Sequence, residues 1–343
     1  MLKKVFLTVI VCSFLLAGCV SGYSALQQAT PIPFSDLLLT TVPTATPFQP
    51  IPPTPTATLM AVPSATPLPT GTALPQFSTP DANSLVMATG QINILILGSD
   101  ARADGGFRTD VIMLLSLNAT KGTATLTSFP RDLYVSIPGV GMQRINTAQE
   151  YGGFSLTQST FFYNFGFTPD YYMMTNFNGF KSIVDTLGGI DVNVASTLKD
   201  ECSVRSLVDG MGYCTIPAGV YHMDGETALW YVRSRHSSSD FDRTRRAQEV
   251  ITALFQTIVS ADGLNHAADL YSEFNSSVET NIPLTEILSL LPLANQIASN
   301  PALVRRYAIG AAQTYNYIVP GSGAMVLVPD QTAVMSIVQQ ALN

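Results

Sequence analysis

The sequence predicts a layered α/β domain behind a long segment that cannot fold into one. Three observations carry this. Apolar runs at Gln91–Leu97, Val111–Leu117 and Thr123–Phe129 are short and β-rich, as strands covered on both faces are. Helical and strand-like stretches then alternate, the pattern of helices layered on a sheet. Composition also changes near residue 80, since residues 30–80 hold 13 of the 22 prolines and one charge, Asp36.

Taken in order, residues 1–18 read as a signal peptide and stand outside the fold. Lys3 and Lys4 precede an apolar stretch from Val5 to Ala17, and Leu16-Ala17-Gly18-Cys19 resembles the bacterial lipobox. That resemblance implies cleavage before Cys19 and its acylation, with the thiol as nucleophile. An uncleaved signal anchor is the other reading, although the apolar stretch is shorter than the ~20 residues a spanning helix needs. Residues 19–86 then form a Pro/Thr-rich tether of extended, solvated backbone, reaching on the order of 150 Å for fifty residues. The expected location is extracytoplasmic, on the cell membrane as a lipoprotein.

The folded domain spans residues 87–343. After the three strands come expected helices at Leu156–Phe165, Gly179–Leu187, Gly225–Val232 and Arg243–Val259. Gly188-Gly189 closes the second of these, and Ile190–Val194 returns as a strand. Further helices are expected near Leu284–Ile297 and Thr332–Leu342.

The net charge of −7, taken two lower to −9 by loss of Lys3 and Lys4, argues against nucleic acid as a partner. Cys202 and Cys214 remain once Cys12 and Cys19 are assigned to the leader and the lipid, so a disulfide between them is expected. His222, His236 and His266 are scattered, and no CxxC pair suggests zinc.

Arginine outnumbers lysine twelve to five, and nine arginines fall in three groups: Arg102 and Arg108; Arg131 and Arg144; Arg233, Arg235, Arg243, Arg245 and Arg246. A guanidinium forks onto phosphate oxygens, so this grouping in an acidic chain points to a polyanionic ligand. Arg243 and Arg246 share a helix face, whereas Arg245 turns away, towards solvent or Asp242. Arg233 and Arg235 align only if their segment is extended. Asp100 and Asp110 bracket a glycine-containing loop and could converge on one cation. Alternatively, Asp100 caps a turn and Asp110 pairs with Arg108.

Several segments, in this order, resemble the LytR–CpsA–Psr family. They are Asn93–Arg102 (NILILGSDAR), Arg108-Thr109-Asp110, Ser128–Asp132 (SFPRD), Ile137-Pro138-Gly139, Arg144-Ile145-Asn146 and Tyr151-Gly152-Gly153. Leu187–Val192, Met223–Leu229, Tyr231–Arg235 and Asp240–Arg246 follow, with a weaker Thr280-Asn281. The resemblance implies a three-layer α–β–α sandwich around a central mixed sheet, with a hydrophobic polyprenyl pocket. It implies transfer of a glycopolymer from a polyprenyl-pyrophosphate carrier to peptidoglycan. By motif, Asp100 and Asp110 would hold Mg²⁺ or Mn²⁺. Arg108, Arg131, Arg233, Arg235 and Arg243, joined by Arg246, would grip the pyrophosphate. Arg131 and Asp132 are the catalytic candidates, Asp132 as proton acceptor or as an orienting partner for an arginine. Two departures stand out: Ala247, with Gln248 next, occupies a place where the family often has glutamine, and a lipobox replaces a spanning anchor. A non-catalytic lipid- or polymer-binding module and a polyprenyl-pyrophosphate hydrolase remain as alternatives on the same residues.

Overall fold

The computed structural model describes residues 85, 87–101, 105–235, 239–260 and 267–343. The signal segment, Cys19, the tether apart from Leu85, Arg102 and two of the histidines, His236 and His266, lie outside the described residues, and Leu85 packs against the core instead of standing in solvent.

In chain order the elements are β1 (Gln91–Ala101), β2 (Phe107–Asn118), β3 (Thr123–Ser128), β4 (Tyr134–Ile137), β5 (Gly141–Arg144) and α1 (Ala148–Phe165). Next come β6 (Tyr171–Asn176), α2 (Phe177–Thr186), β7 (Ile190–Val194), β8 (Leu198–Glu201), β9 (Tyr213–Ile216), β10 (Gly219–Met223) and α3 (Gly225–Arg233). The remainder is α4 (Asp240–Val259), α5 (Ala267–Ser277), β11 (Val278–Thr280), α6 (Leu284–Ser299), β12 (Val304–Ala308), β13 (Thr314–Ile318), β14 (Met325–Pro329) and α7 (Gln331–Ala341).

The central sheet runs β11-β6-β1-β2-β3-β12. It is mixed: β1 pairs antiparallel with β2 and β2 with β3, while β6 lies parallel to β1 and β12 parallel to β3. Side chains alternate between faces along each strand. One face buries Leu95, Leu97, Ile112 and Leu114 under Phe161 and Phe165 of α1 and Val334 and Val338 of α7. Burying each such side chain contributes about 1.5 to 3 kcal/mol. The other face sets Met113 and Leu126 against Ala247 and Ile251 of α4, and Ala124 against Leu293 and Ile297 of α6. Helices therefore cover both faces, giving three layers. The second face is looser, with Ile96, Val111 and Leu115 only partly buried.

The expected helices and long strands recur with ends moved by a few residues. The largest change is in α1, which starts at Ala148 rather than Leu156 and breaks at Gly152-Gly153. Gly153 has φ 60° and ψ −158°, a conformation open essentially to glycine alone, and this re-aims the helix there. Pairing lengthens β1 and β2 beyond their apolar runs, down to Ala101 and up to Phe107. The segment that carries the two folded-domain cysteines forms the β8–β9 hairpin, with Cys202 and Cys214 bridged and their Cα atoms 5.6 Å apart.

Candidate functional site

Because β1, β3, β6 and β12 all run opposite to β2, the C-terminal ends of those four strands and the start of β2 gather at one edge of the sheet. The loop Pro130–Asp132 leaves β3 there. Phe177 follows β6 there. The register slips between Gly98 and Ser99, so that Gly98 faces Val111 and Ser99 faces Thr109. Asp110 is thus the extra residue of a bulge, a feature that re-aims a side chain.

Asp110 Oδ2 lies 3.0 Å from a terminal nitrogen of Arg131. The Arg131 Nε also lies 3.3 Å from Asp132 Oδ2, and Asp132 Oδ1 lies 3.2 Å from Arg144 Nε. The Arg144 contact is an ion pair without hydrogen-bond alignment, since its Nε remains a buried donor with no acceptor. Burial opposes the charge on Arg131, but Asp110, Asp132 and Asp240 together hold its pKa above the ordinary arginine value.

Arg243 joins this group from the first turn of α4. Burial and then the nearby charge of Arg131 lower its pKa, against the pull of Asp240, Asp110 and Asp132. Two guanidiniums from distant parts of the chain therefore face one set of carboxylates. At the rim, Arg108 donates its backbone N–H to Asp100 Oδ1 at 2.6 Å and its guanidinium to Asp100 Oδ2 at 3.5 Å. The carboxylates are thus paired across strands, Asp100 with Arg108 and Asp110 with Arg131, and the alternative Asp110–Arg108 pairing is replaced. Arg233 is exposed at the end of α3, its guanidinium 4.3 Å from the centre of the Phe177 ring. It is the last helical residue, so Arg233 and Arg235 do not share an extended strand; Arg235 follows Ser234 and is exposed.

Arg246 departs from its expected place. It is 2% exposed, and its guanidinium donates to the carbonyl oxygens of Tyr231 and Ser234. It thereby caps the last carbonyls of α3 and ties α3 to α4. Its spacing from Arg243 is right for one helix face, but it lies a turn deeper, where α3 packs. Arg245 points away, bonded to Glu249 and Ser196 and 4.0 Å from Asp242. Gln248 is buried and donates to Ser128 Oγ at 2.8 Å and to the Tyr307 carbonyl at 2.7 Å, so it fastens α4 to the ends of β3 and β12. Ala247 beside it packs on Met113 and Leu126.

Several buried atoms here have no partner: Asp110 Oδ1, Arg108 Nε and Asn146 Oδ1. Buried polar atoms are almost always bonded, so orphans clustered at one edge make it the candidate site. Asn146 belongs to the Arg144-Ile145-Asn146 motif and has no role on sequence grounds alone. Its backbone fixes the site, accepting from Thr109 Oγ1 at 3.2 Å and donating to the Arg131 carbonyl at 3.3 Å. The motif Arg144-Ile145-Asn146 was the signal for it.

The family profile of LytR_cpsA_psr matches residues 68–340. Over 212 residues, 60% of its length, the chain is 32% identical to the polyisoprenyl-teichoic acid–peptidoglycan teichoic acid transferase TagT of Bacillus subtilis, spanning 65% of that protein. It is 32% identical over 204 residues to the regulatory protein MsrR of Staphylococcus aureus, 59% of each chain. The chain thus spans less than two thirds of the length of either relative. It superimposes on B. subtilis TagV with a TM-score of 0.62 at 26% identity, covering 75% of this chain and 97% of that one. For TagT bound to LIIa-WTA the TM-score is 0.56 at 26% identity, covering 74% and 90%. The profile takes in every motif from Asn93 to Arg246 and most of the chain beyond them, and the protein belongs to the LytR_cpsA_psr family.

Proposed function

We propose that this chain is an extracytoplasmic transferase that moves a glycopolymer from a polyprenyl-pyrophosphate carrier to peptidoglycan. One observation supports it above the others: Arg131 and Arg243 are brought together, partly buried, beside a carboxylate whose second oxygen is unpartnered. Relatives whose names state transfer of a polyisoprenyl-linked teichoic acid to peptidoglycan agree with this reading.

Phosphoryl-type transfer depends on positioning and on stabilising charge. An acceptor hydroxyl would bond to the glycan-side phosphorus as the bridging P–O bond breaks and polyprenyl phosphate leaves. Arg131 and Arg243 would take the charge of the leaving phosphate, with Arg108, Arg233 and Arg235 at the rim. Asp132, with one oxygen on Arg131 and the other on Arg144, is suited to orienting both arginines more than to accepting a proton.

The donor set at Asp110 fits a divalent ion, because its buried Oδ1 is an oxygen ligand in want of a partner. Magnesium commonly takes one or two carboxylates and completes its shell with phosphate and water. Asp110 and Asp100 would hold Mg²⁺ or Mn²⁺, which would screen the pyrophosphate charge. The looser sheet face under α4, where Ile96, Val111 and Leu115 are only partly covered, suits the prenyl chain.

Among the described residues no helix is long and apolar enough to cross a membrane. Attachment through acylated Cys19 is part of the proposal. Mass spectrometry of the mature N-terminus checks it, and a retained Met1 would refute it.

The activity test is transfer of labelled glycan from a short-chain polyprenyl pyrophosphate, with and without Mg²⁺. Asp110→Ala and Arg131→Ala should abolish most turnover while leaving the fold intact. A fully active Asp110→Ala would refute the site.

A further inference from the structure

A cleft of about 370 Å³ lies along α1, lined by Pro138, Ser155, Gln158, Ser159, Phe162 and Tyr163, with Thr168 at its end. It shares no residue with the arginine edge. Its volume is at the lower end of the range for small-ligand pockets. Its chemistry differs from that of the arginine edge in one decisive respect: none of the lining side chains is charged.

Two large rings stand in the solvent there, Phe162 at 50% and Tyr163 at 44% exposure. Burial of their neighbours Phe161 and Phe165 shows that α1 already has its full apolar face on the sheet. Phe162 and Tyr163 are therefore surplus to the core. Exposed aromatic area beside small polar groups is a mark of a binding surface.

The polar groups are hydroxyls and an amide. Ser155, Ser159 and Phe162 follow one another at helical spacing on one side of α1. Ser159 Oγ donates to the Ser155 carbonyl at 3.0 Å, and Gln158 Nε2 is held by the Pro169 carbonyl at 2.8 Å, which fixes that amide in place. Ser155, Tyr163 and Thr168, each carrying a hydroxyl, complete the lining.

We propose that this cleft is a saccharide subsite taking one or two uncharged pyranose units of a glycan strand. A pyranose ring has a face of polarised C–H bonds, which packs on the electron-rich face of an aromatic ring. Its equatorial hydroxyls and acetamido groups exchange hydrogen bonds with serine, threonine, tyrosine and glutamine side chains. An anionic polymer repeat or a phosphate would find no cation in this wall. The subsite goes beyond the transfer reading, and only its use by the acceptor strand rests on that reading. In that role α1, which starts beside Asn146 at the sheet edge, would hold the strand on the side of the domain away from α4.

The test uses the full chain and chitotetraose, a soluble neutral N-acetylglucosamine oligomer, with binding followed by saturation-transfer NMR and titration. Single subsites of this kind bind weakly, with Kd in the millimolar range, about −4 kcal/mol. Phe162→Ala and Tyr163→Ala should each weaken binding about tenfold or more, with unfolding curves unchanged because both rings are half exposed. Asp110→Ala should bind the sugar as the parent does. In the transfer assay Tyr163→Ala should raise the acceptor KM and leave kcat nearly unchanged. No chitotetraose binding by the parent, or binding indifferent to both aromatic variants, would overturn the proposal even if transfer is observed. Sugar binding lost in the variants of a protein without transfer activity would leave the subsite standing and overturn the transferase reading instead.

Discussion

Arg243, Arg245 and Arg246 stand within four positions of one another, yet the structure gives them three different tasks. Arg243 faces Arg131 and its carboxylates, Arg245 bridges to Glu249, and Arg246 holds the carbonyls at the end of α3. Their variants should separate accordingly. Arg243→Ala should cut transfer roughly ten- to a hundredfold, the equivalent of losing one charged hydrogen bond of about 1.5 to 3 kcal/mol. Arg245→Ala should leave transfer nearly intact but lower stability by about 1 kcal/mol, because buried Glu249 would keep only the Tyr231 hydroxyl at 2.6 Å. Arg246→Ala should cost about 3 kcal/mol or more, since it empties a buried site and leaves two carbonyls without donors. Urea unfolding read beside the transfer assay separates the three. Equal loss of transfer in Arg243→Ala and Arg245→Ala would place the binding face of α4 elsewhere.

Elements owe their ends to local chemistry that the site then uses. α4 starts at a capping box: Ser239 accepts from the Asp242 backbone, and the Asp242 carboxylate accepts from the Ser239 backbone at 3.1 Å. This start fixes where Asp240 and Arg243 emerge. Ser239→Ala should cost about 1 kcal/mol. The Ser239 hydroxyl and then its backbone N–H hold the Asp242 carboxyl below the usual aspartate range. With its folded pKa depressed, Asp242 stabilises the protein above its unfolded pKa, about 3.9. That contribution is lost as pH falls through the lower, folded value. The stability gap between the parent and Asp242→Asn should thus be full at pH 6 and close in strong acid; a gap independent of pH would exclude the carboxylate as its cause. The hairpin β8–β9 is held differently. Its Cys202–Cys214 bridge closes a short loop that holds none of the site residues, although Asp200, paired with Cys214, accepts from Ser234 between Arg233 and Arg235; Cys202→Ser with Cys214→Ser should cost about 3 kcal/mol with most transfer retained. Two alkylatable thiols in the native protein would show that the bridge does not form.

At the scale of the molecule, the sheet turns a linear set of motifs into one edge. Asp100, Arg108, Asp110 and Arg131 come together because β1, β2 and β3 are antiparallel neighbours, which sets the end of β1, the start of β2 and the exit of β3 side by side. The apolar runs of β1 to β3 were legible because strands covered on both faces need side chains that are apolar at nearly every position. The long helices were legible from their period, and the arginine grouping and the ordered motifs were legible as chemistry. The β4–β5 and β13–β14 hairpins were not, since their short, part-exposed strands gain their stability from pairing partners that no local pattern reveals. Nor was the bulge that frees Asp110, because a register slip belongs to two strands at once. By itself, then, the sequence determined the class of the fold and, through the order of its motifs, the family. Tertiary structure alone decided which arginine meets which carboxylate. Helical spacing says which side chains share a face, but only packing against α3 says that Arg246 is taken up by backbone carbonyls while Arg243, one turn earlier, reaches the edge.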